Sequence, residues 1–172
     1  MRQRMLRKLL RWLRESVIVV VLLTSVILIM DVRRAPQIPT DFGSVQLQTQ
    51  DGENITLADL SETRPLLLYI WASWCGICLF TTPNVATLAA MGENIMTIAY
   101  RSGSPDEVSR WLARKRWGFA VINDADGTIS HLWGISITPT FLVISKGQVI
   151  YTTSGWTSYW GMKLRLWSAT MN

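Results

Sequence analysis

Cysteine and histidine are scarce in these 172 residues, with two of the first and one of the second. Two cysteines cannot build a disulfide-rich framework, and one histidine cannot anchor a histidine-based metal cluster. Charge is sparse as well: 17% of the residues are charged against 49% apolar, which excludes wholesale disorder. No internal repeat and no low-complexity stretch marks the chain, and its length suits one domain with appendages. The formal net charge of +5 hints at nucleic acid, but its placement removes the hint. In the first fifteen residues Arg2, Arg4, Arg7, Lys8, Arg11 and Arg14 face only Glu15, while the remaining 11 basic and 11 acidic side chains cancel. The excess belongs to a tail, not to a domain face that could track phosphates.

Residues 17–30, VIVVVLLTSVILIM, are fourteen uncharged positions. As a helix they cover only ~21 Å, short of a ~30 Å hydrocarbon core. A cleaved secretory signal fits the basic start, but residues 30–34 (Met-Asp-Val-Arg-Arg) offer no small-x-small cleavage site. A buried core helix is the bland alternative, and the run lacks the polar face of an amphipathic surface helix. The expectation is therefore a signal anchor. Trp12 and Leu13 would extend the span, with Arg14 and Arg33 snorkelling at its ends. Six basic residues before the run against Arg33 and Arg34 after it would keep the N-terminus inside. The expected organisation is a basic cytoplasmic tail at 1–15, a transmembrane anchor at 16–30, a proline-bearing linker at 31–40 and a domain at 41–172, outside the cytoplasm.

Within that domain, short apolar runs alternate with helical patterns. Val45–Gln48, a turn at Asp51-Gly52 and Ile55–Leu57 read as a hairpin. Leu66–Trp71 is a continuous apolar run of buried-strand length, and Met96–Tyr100 is a second. A helix is expected from Cys75 to about Ala90, with Pro83 as a kink. Ser104-Pro105-Asp106-Glu107 is a capping-box start for a helix with Val108, Trp111 and Leu112 on its apolar face. Val121-Ile122 is a short strand, Asp124 and Asp126 are turn formers, and His131 reads as a surface or helix residue. Phe141–Ile144 and Val149–Thr153 flank a Lys146-Gly147 turn. The last helix, about 158–169, carries Trp160, Leu164 and Trp167 at i, i+4, i+7, expected to pack on the sheet. This pattern implies an α/β three-layer domain with a mixed sheet.

The two cysteines stand together as Trp74-Cys75-Gly76-Ile77-Cys78, at the junction of a predicted strand and helix. A spacing of three puts both sulfurs on one face of the first turn, within bonding reach. A helix N-terminus carries unpaired N–H groups and partial positive charge, which favour thiolate at the first cysteine. Thiol–disulfide exchange needs that arrangement: an exposed thiolate to attack and a shielded second thiol to resolve. On the residues alone, a structural disulfide, two small buried hydrophobes and a two-thiolate Cu(I) site remain alternatives. Zinc lacks ligands.

The stretch Ile70-Trp71-Ala72-Ser73-Trp74-Cys75-Gly76-Ile77-Cys78 resembles the thioredoxin superfamily, in particular its TlpA/ResA/DsbE-like group of membrane-tethered, extracytoplasmic thiol-disulfide oxidoreductases. Asp51-Gly52 with Leu57–Leu60, Pro83 five residues after the second cysteine, and Ile137-Thr138-Pro139-Thr140 as a cis-proline loop agree with it. The 64 positions from Cys75 to Pro139 leave room for that group's added strand and helix. The resemblance implies a thioredoxin-like fold with an N-terminal hairpin and a central strand-helix insertion, preceded by one transmembrane helix in a bacterial inner membrane. It implies Cys75 as nucleophile and Cys78 as resolving thiol of a redox-active disulfide. Trp74, Gly76, Ile77, Thr138 and a cis Pro139 would form the partner surface, and Trp71 would lie in the core. No cofactor and no metal are implied, since electrons pass through the cysteines. The implied partners are protein thiols or disulfides and a transmembrane electron donor.

Two positions depart from the pattern. Tyr69 stands where many thioredoxins have a buried Asp, and Thr81 where the group usually has a Glu. Both expected proton acceptors are neutral. The implied function is a membrane-anchored periplasmic thiol-disulfide oxidoreductase that exchanges electrons with protein thiols through the cysteine pair, as a reductase in copper tolerance. Reduction of apocytochrome cysteines and Cu(I) binding are the alternatives.

Overall fold

The computed structural model describes residues 11, 12, 14–22, 25 and 38–171. The chain divides into two units, Met1–Ala35 and Pro36–Asn172. In the first, the described residues are helical. Among the described residues no helix is long and apolar enough to cross a membrane. This corrects the expected transmembrane helix at 16–30 and the single-pass inner-membrane placement drawn from it. The physical reason lies in the run's length: fourteen uncharged residues fall short of the hydrocarbon core. Residues 23, 24 and 26–30 of that expected span, and 31–37 of the linker, lie outside the described residues.

The second unit opens with a 3₁₀ turn at Phe42–Ser44 and a hairpin, β1 (Leu47–Gln48) with β2 (Asn54–Ile55). Helix α1 (Leu57–Ser61) follows, then β3 (Leu66–Trp71), α2 (Gly76–Ala90) and β4 (Ile95–Tyr100). Next come α3 (Pro105–Lys115), β5 (Val121–Asp124), α4 (Thr128–Leu132), β6 (Thr140–Ser145), β7 (Gln148–Ser154) and α5 (Tyr159–Ala169). The five-stranded sheet has the order β5-β4-β3-β6-β7. β3 is parallel to β4 and antiparallel to β6, so the sheet is mixed as expected.

Every side chain of β3 is buried, because the strand lies mid-sheet with a layer on each face. Its alternate residues feed two cores. Leu67, Tyr69 and Trp71 join Val85 and Leu88 of α2, Val108 and Leu112 of α3, and Met162 and Leu166 of α5. Leu66, Leu68 and Ile70 join Phe42, Leu47, Leu57 and Trp133 on the other face. The expected capping box starts α3: the Ser104 hydroxyl accepts from the Glu107 N–H, and Glu107 accepts from the Ser104 N–H at 2.8 Å.

The stripe expected to dock α5 is the wrong one. Trp160, Leu164 and Trp167 are 75%, 62% and 59% exposed. Met162, Leu166 and Ala169 are buried instead. They form a second i, i+4, i+7 row, so helical periodicity alone could not choose between the two faces.

Asp124 does more than shape a turn. It is buried, and its carboxylate accepts from the Ile129 and Ser130 N–H groups at 3.0 and 2.9 Å. It thereby caps α4, the helix that leads into the Pro139 loop. Replacing Asp124 by Ala leaves two N–H groups without acceptors and is expected to lower unfolding free energy by about 2–4 kcal/mol. Urea unfolding of the full chain measures this. A loss below about 0.5 kcal/mol, the size of an ordinary surface change, would contradict the capping role.

Candidate active site

β3 ends at Trp71 and α2 begins at Gly76, so Cys75 occupies the N-cap of α2 with extended backbone. Its sulfur accepts from the Cys78 N–H at 3.2 Å, as an N-cap side chain does. Cys75 and Cys78 are joined in a disulfide with Cα atoms 5.3 Å apart. Cys75 is 7% exposed and Cys78 0%. The shielding of the second sulfur relative to the first is that inferred from the helix geometry.

The β3–β6 ladder brings a distant segment to the pair. Ile70 pairs with Thr140, so the residues before β6 reach the level of the strand-to-helix junction. There the Thr138–Pro139 bond is cis, and the Thr138 carbonyl oxygen lies 3.5 Å from Cys75 Sγ. The loop is pinned on both sides of that bond. The Thr140 hydroxyl donates to the Ile137 carbonyl at 2.7 Å, and the Gly155 N–H donates to the Pro139 carbonyl at 2.8 Å.

Of the expected surface residues, Trp74, Gly76 and Ile77 are exposed beside the disulfide. The Trp74 indole donates to the Arg101 carbonyl at 2.9 Å and meets Tyr100 edge to face, with ring centroids 6.3 Å apart. The Ser73 N–H donates to the Ser102 hydroxyl at 2.9 Å. Arg101 and Ser102 follow β4, and nothing local in the sequence points to them. Phe80, exposed one turn after Ile77 on α2, was also missed. The i, i+3 spacing from Ile77 was its only sequence signal. Trp71 lies fully in the core, stacked on Trp111 with centroids 4.8 Å apart. His131 is exposed on α4.

Beneath the disulfide, the positions that lack a carboxylate carry hydroxyls. Thr81 is buried and donates to the Ile77 carbonyl at 2.9 Å. The Thr82 hydroxyl donates to the Cys78 carbonyl at 2.6 Å and lies 2.8 Å from the Tyr69 hydroxyl. Thr82 has spent its only proton, so Tyr69 is the donor to it. Burial pushes the Tyr69 phenol well above its ordinary range, with the Thr82 bond opposing weakly. Tyr69 therefore stays protonated and cannot take a proton from Cys78. Among the described residues, no carboxylate, histidine or lysine hydrogen-bonds either sulfur.

A family model described as AhpC/TSA matches residues 38–152. The chain belongs to the AhpC/TSA family. It is 38% identical over 141 residues to a thioredoxin-like protein of Haemophilus influenzae, covering 82% of this chain and 84% of that one. It is 31% identical over 94 residues to the thiol:disulfide interchange protein DsbE of Xylella fastidiosa, covering 53% of this chain. The match spans about half of that relative, 47% of its length. A solved structure of a thioredoxin from Neisseria meningitidis superposes with a TM-score of 0.66 at 22% identity, over 74% of this chain and 88% of the other. That likeness shows the thioredoxin-like fold.

The buried Tyr69 has two expected consequences. Its folded form holds the proton more tightly than its unfolded form, so the unfolded chain releases it first. Stability is then full below pH ~10 and declines as pH rises past that value. Tyr69→Phe should flatten this decline, cost about 1 kcal/mol at neutral pH, and leave dithiol exchange within about twofold. Unfolding curves across pH, with exchange rates beside them, check both. A drop in exchange of more than about tenfold would place the phenol in the proton path.

Proposed function

We propose that this chain transfers electrons to protein disulfides through Cys75 and Cys78. The observation that carries the reading is Cys75 at the N-cap of α2, more open than Cys78 and facing the cis Thr138–Pro139 loop. In the reduced state the Cys75 thiolate attacks one sulfur of a partner disulfide. That S–S bond breaks, the partner's other sulfur leaves as thiolate, and a mixed disulfide forms. Cys78 then loses its proton and attacks Cys75 Sγ. The partner's second sulfur leaves as thiolate, and the Cys75–Cys78 disulfide closes with two electrons delivered. Trp74, Gly76 and Ile77 receive the partner chain on one side. Thr138 and Pro139 receive it on the other, with the Thr138 backbone as its hydrogen-bonding edge.

A dithiol donor must return the electrons, because the transfer leaves the pair oxidised. A transmembrane donor is the one that the resemblance supports. Two substrate settings fit this chemistry, protein disulfides in copper tolerance and the oxidised cysteine pair of an apocytochrome. The likeness to a relative named DsbE supports the second. Thr81, where that group usually has Glu, makes resolution slow at neutral pH. Mixed disulfides should be long-lived for the same reason.

Two expected outcomes follow. Cys78→Ser should trap partner proteins on Cys75, visible as adducts released by dithiothreitol, and Cys75→Ser should trap none. Equal trapping by both variants would reverse the assignment. In single-turnover mixing, release of a labelled peptide from the mixed disulfide should rise about tenfold per pH unit below the free-thiol range of ~8.5. Thr81→Glu should speed release about 10²-fold near neutral pH and flatten that profile. Fast, pH-independent release in the unmodified protein would contradict the missing proton acceptor.

A further inference from the structure

A cavity of about 350 Å³ opens beside Ser73, in the loop that carries Cys75, and is lined among others by Ser102, Glu107, Arg110, Trp111 and Arg114. Ser73 precedes Cys75 by two residues, so their Cα atoms are at most ~7.6 Å apart.

The walls offer more donors than acceptors. Arg110 and Arg114 sit one turn apart on α3, and neither makes a hydrogen bond or ion pair with any described residue. The Ser73 hydroxyl likewise has no partner among the described residues, although its backbone N–H is bonded to Ser102. The one acidic side chain present is already engaged. Glu107 Oε2 accepts from the Ser104 N–H at 2.8 Å and its hydroxyl at 3.0 Å. Those two bonds, with Arg110 adding less, hold its carboxyl below the usual range. The Trp111 ring, stacked on Trp71, supplies an apolar wall. Two guanidiniums against the one Glu107 carboxylate leave the wall net positive, and with the Ser73 hydroxyl they can receive a further carboxylate.

We propose that this cavity is a carboxylate subsite of the redox centre, seating an acidic group carried by the thiol or disulfide that exchanges with Cys75. The inference rests on the exchange reading above. The carboxylate can come from a small thiol such as glutathione or from an acidic residue beside the reactive cysteine of a partner chain. In either case the thiolate attacks Cys75 Sγ and Cys78 leaves as thiolate. A second thiolate then attacks the mixed disulfide and releases Cys75 as thiolate. Two electrons pass from the thiols to the protein disulfide.

The test reduces the oxidised full chain with two matched pairs of thiols, with rates expressed per thiolate. One pair is glutathione and its diethyl ester. The other is a cysteine peptide flanked by Asp and its Asn counterpart. At low salt the acidic member of at least one pair should react about fivefold faster, as two exposed charge pairs allow. The advantage should shrink as salt is added. The Arg110→Gln, Arg114→Gln double variant should bring the ratio to about one, and Lys115→Gln, outside the cavity on the same helix, should preserve it. A preference confined to glutathione assigns the subsite to a small thiol, and one seen with the peptides assigns it to a partner chain. Equal rates within both pairs, or a preference that survives the double variant, would overturn the subsite. Failure of every thiol to exchange would instead overturn the exchange reading.

Discussion

Antiparallel pairing of Ile70 with Thr140 places the Pro139 loop beside Cys75, although 64 positions separate the two in sequence. The rest of the site depends on that register. β3 is fixed because both of its faces are buried, and a slip of one residue would send Tyr69 and Trp71 into the opposite core. Its far end then has one place to release the chain into α2. The α2 N-terminus presents N–H groups that need an acceptor, and Cys75 Sγ supplies it. Fold and chemistry thus meet in one hydrogen bond at a helix end.

The two sulfurs differ because of this placement. Cys75 lies at the rim of the helix, against a carbonyl of the proline loop. Cys78 lies one turn inside, with no solvent exposure and no acidic or basic side chain hydrogen-bonded to it. Its carbonyl is tied to Thr82, which is tied to Tyr69. That chain of hydroxyls satisfies buried polar groups and holds the first turns of α2 against β3. A protonated phenol cannot replace a carboxylate as proton acceptor. The same structure that shields Cys78 sets no carboxylate, histidine or lysine within hydrogen-bonding reach of its sulfur among the described residues.

Much of this was legible in the residues. The apolar run 66–71 has the length of a buried strand and is one, and the Ser104–Glu107 box announced α3. The paired cysteines marked a candidate site because strand and helix signals flanked them, and the structure joins them in a disulfide at that junction. The cis Thr138–Pro139 bond came from family resemblance, since composition and spacing do not distinguish it from a turn. Other features were not legible. Both faces of α5 carry apolar rows, so the choice of Met162 and Leu166 over Trp160 and Trp167 is made by packing. The contacts of Ser73 with Ser102 and of Trp74 with Arg101 cross 29 and 27 positions and have no local signature. Arg110 and Arg114 read as ordinary charges on a solvated face until the fold set them on a cavity wall shared with Ser73, two residues before Cys75. The uncharged N-terminal run misled because its composition suits a membrane while its length does not.

The asymmetry of the two thiols is the central claim, and alkylation of the fully reduced full chain tests it most directly. Iodoacetamide would be added across a range of pH, with each cysteine followed by mass spectrometry. The account predicts that Cys75 reacts at least about tenfold faster than Cys78 and levels off below the free-thiol range of ~8.5, as a helix-end thiolate should. Cys78 should stay protected until the protein unfolds. Equal rates at the two sulfurs, or faster reaction at Cys78, would contradict it.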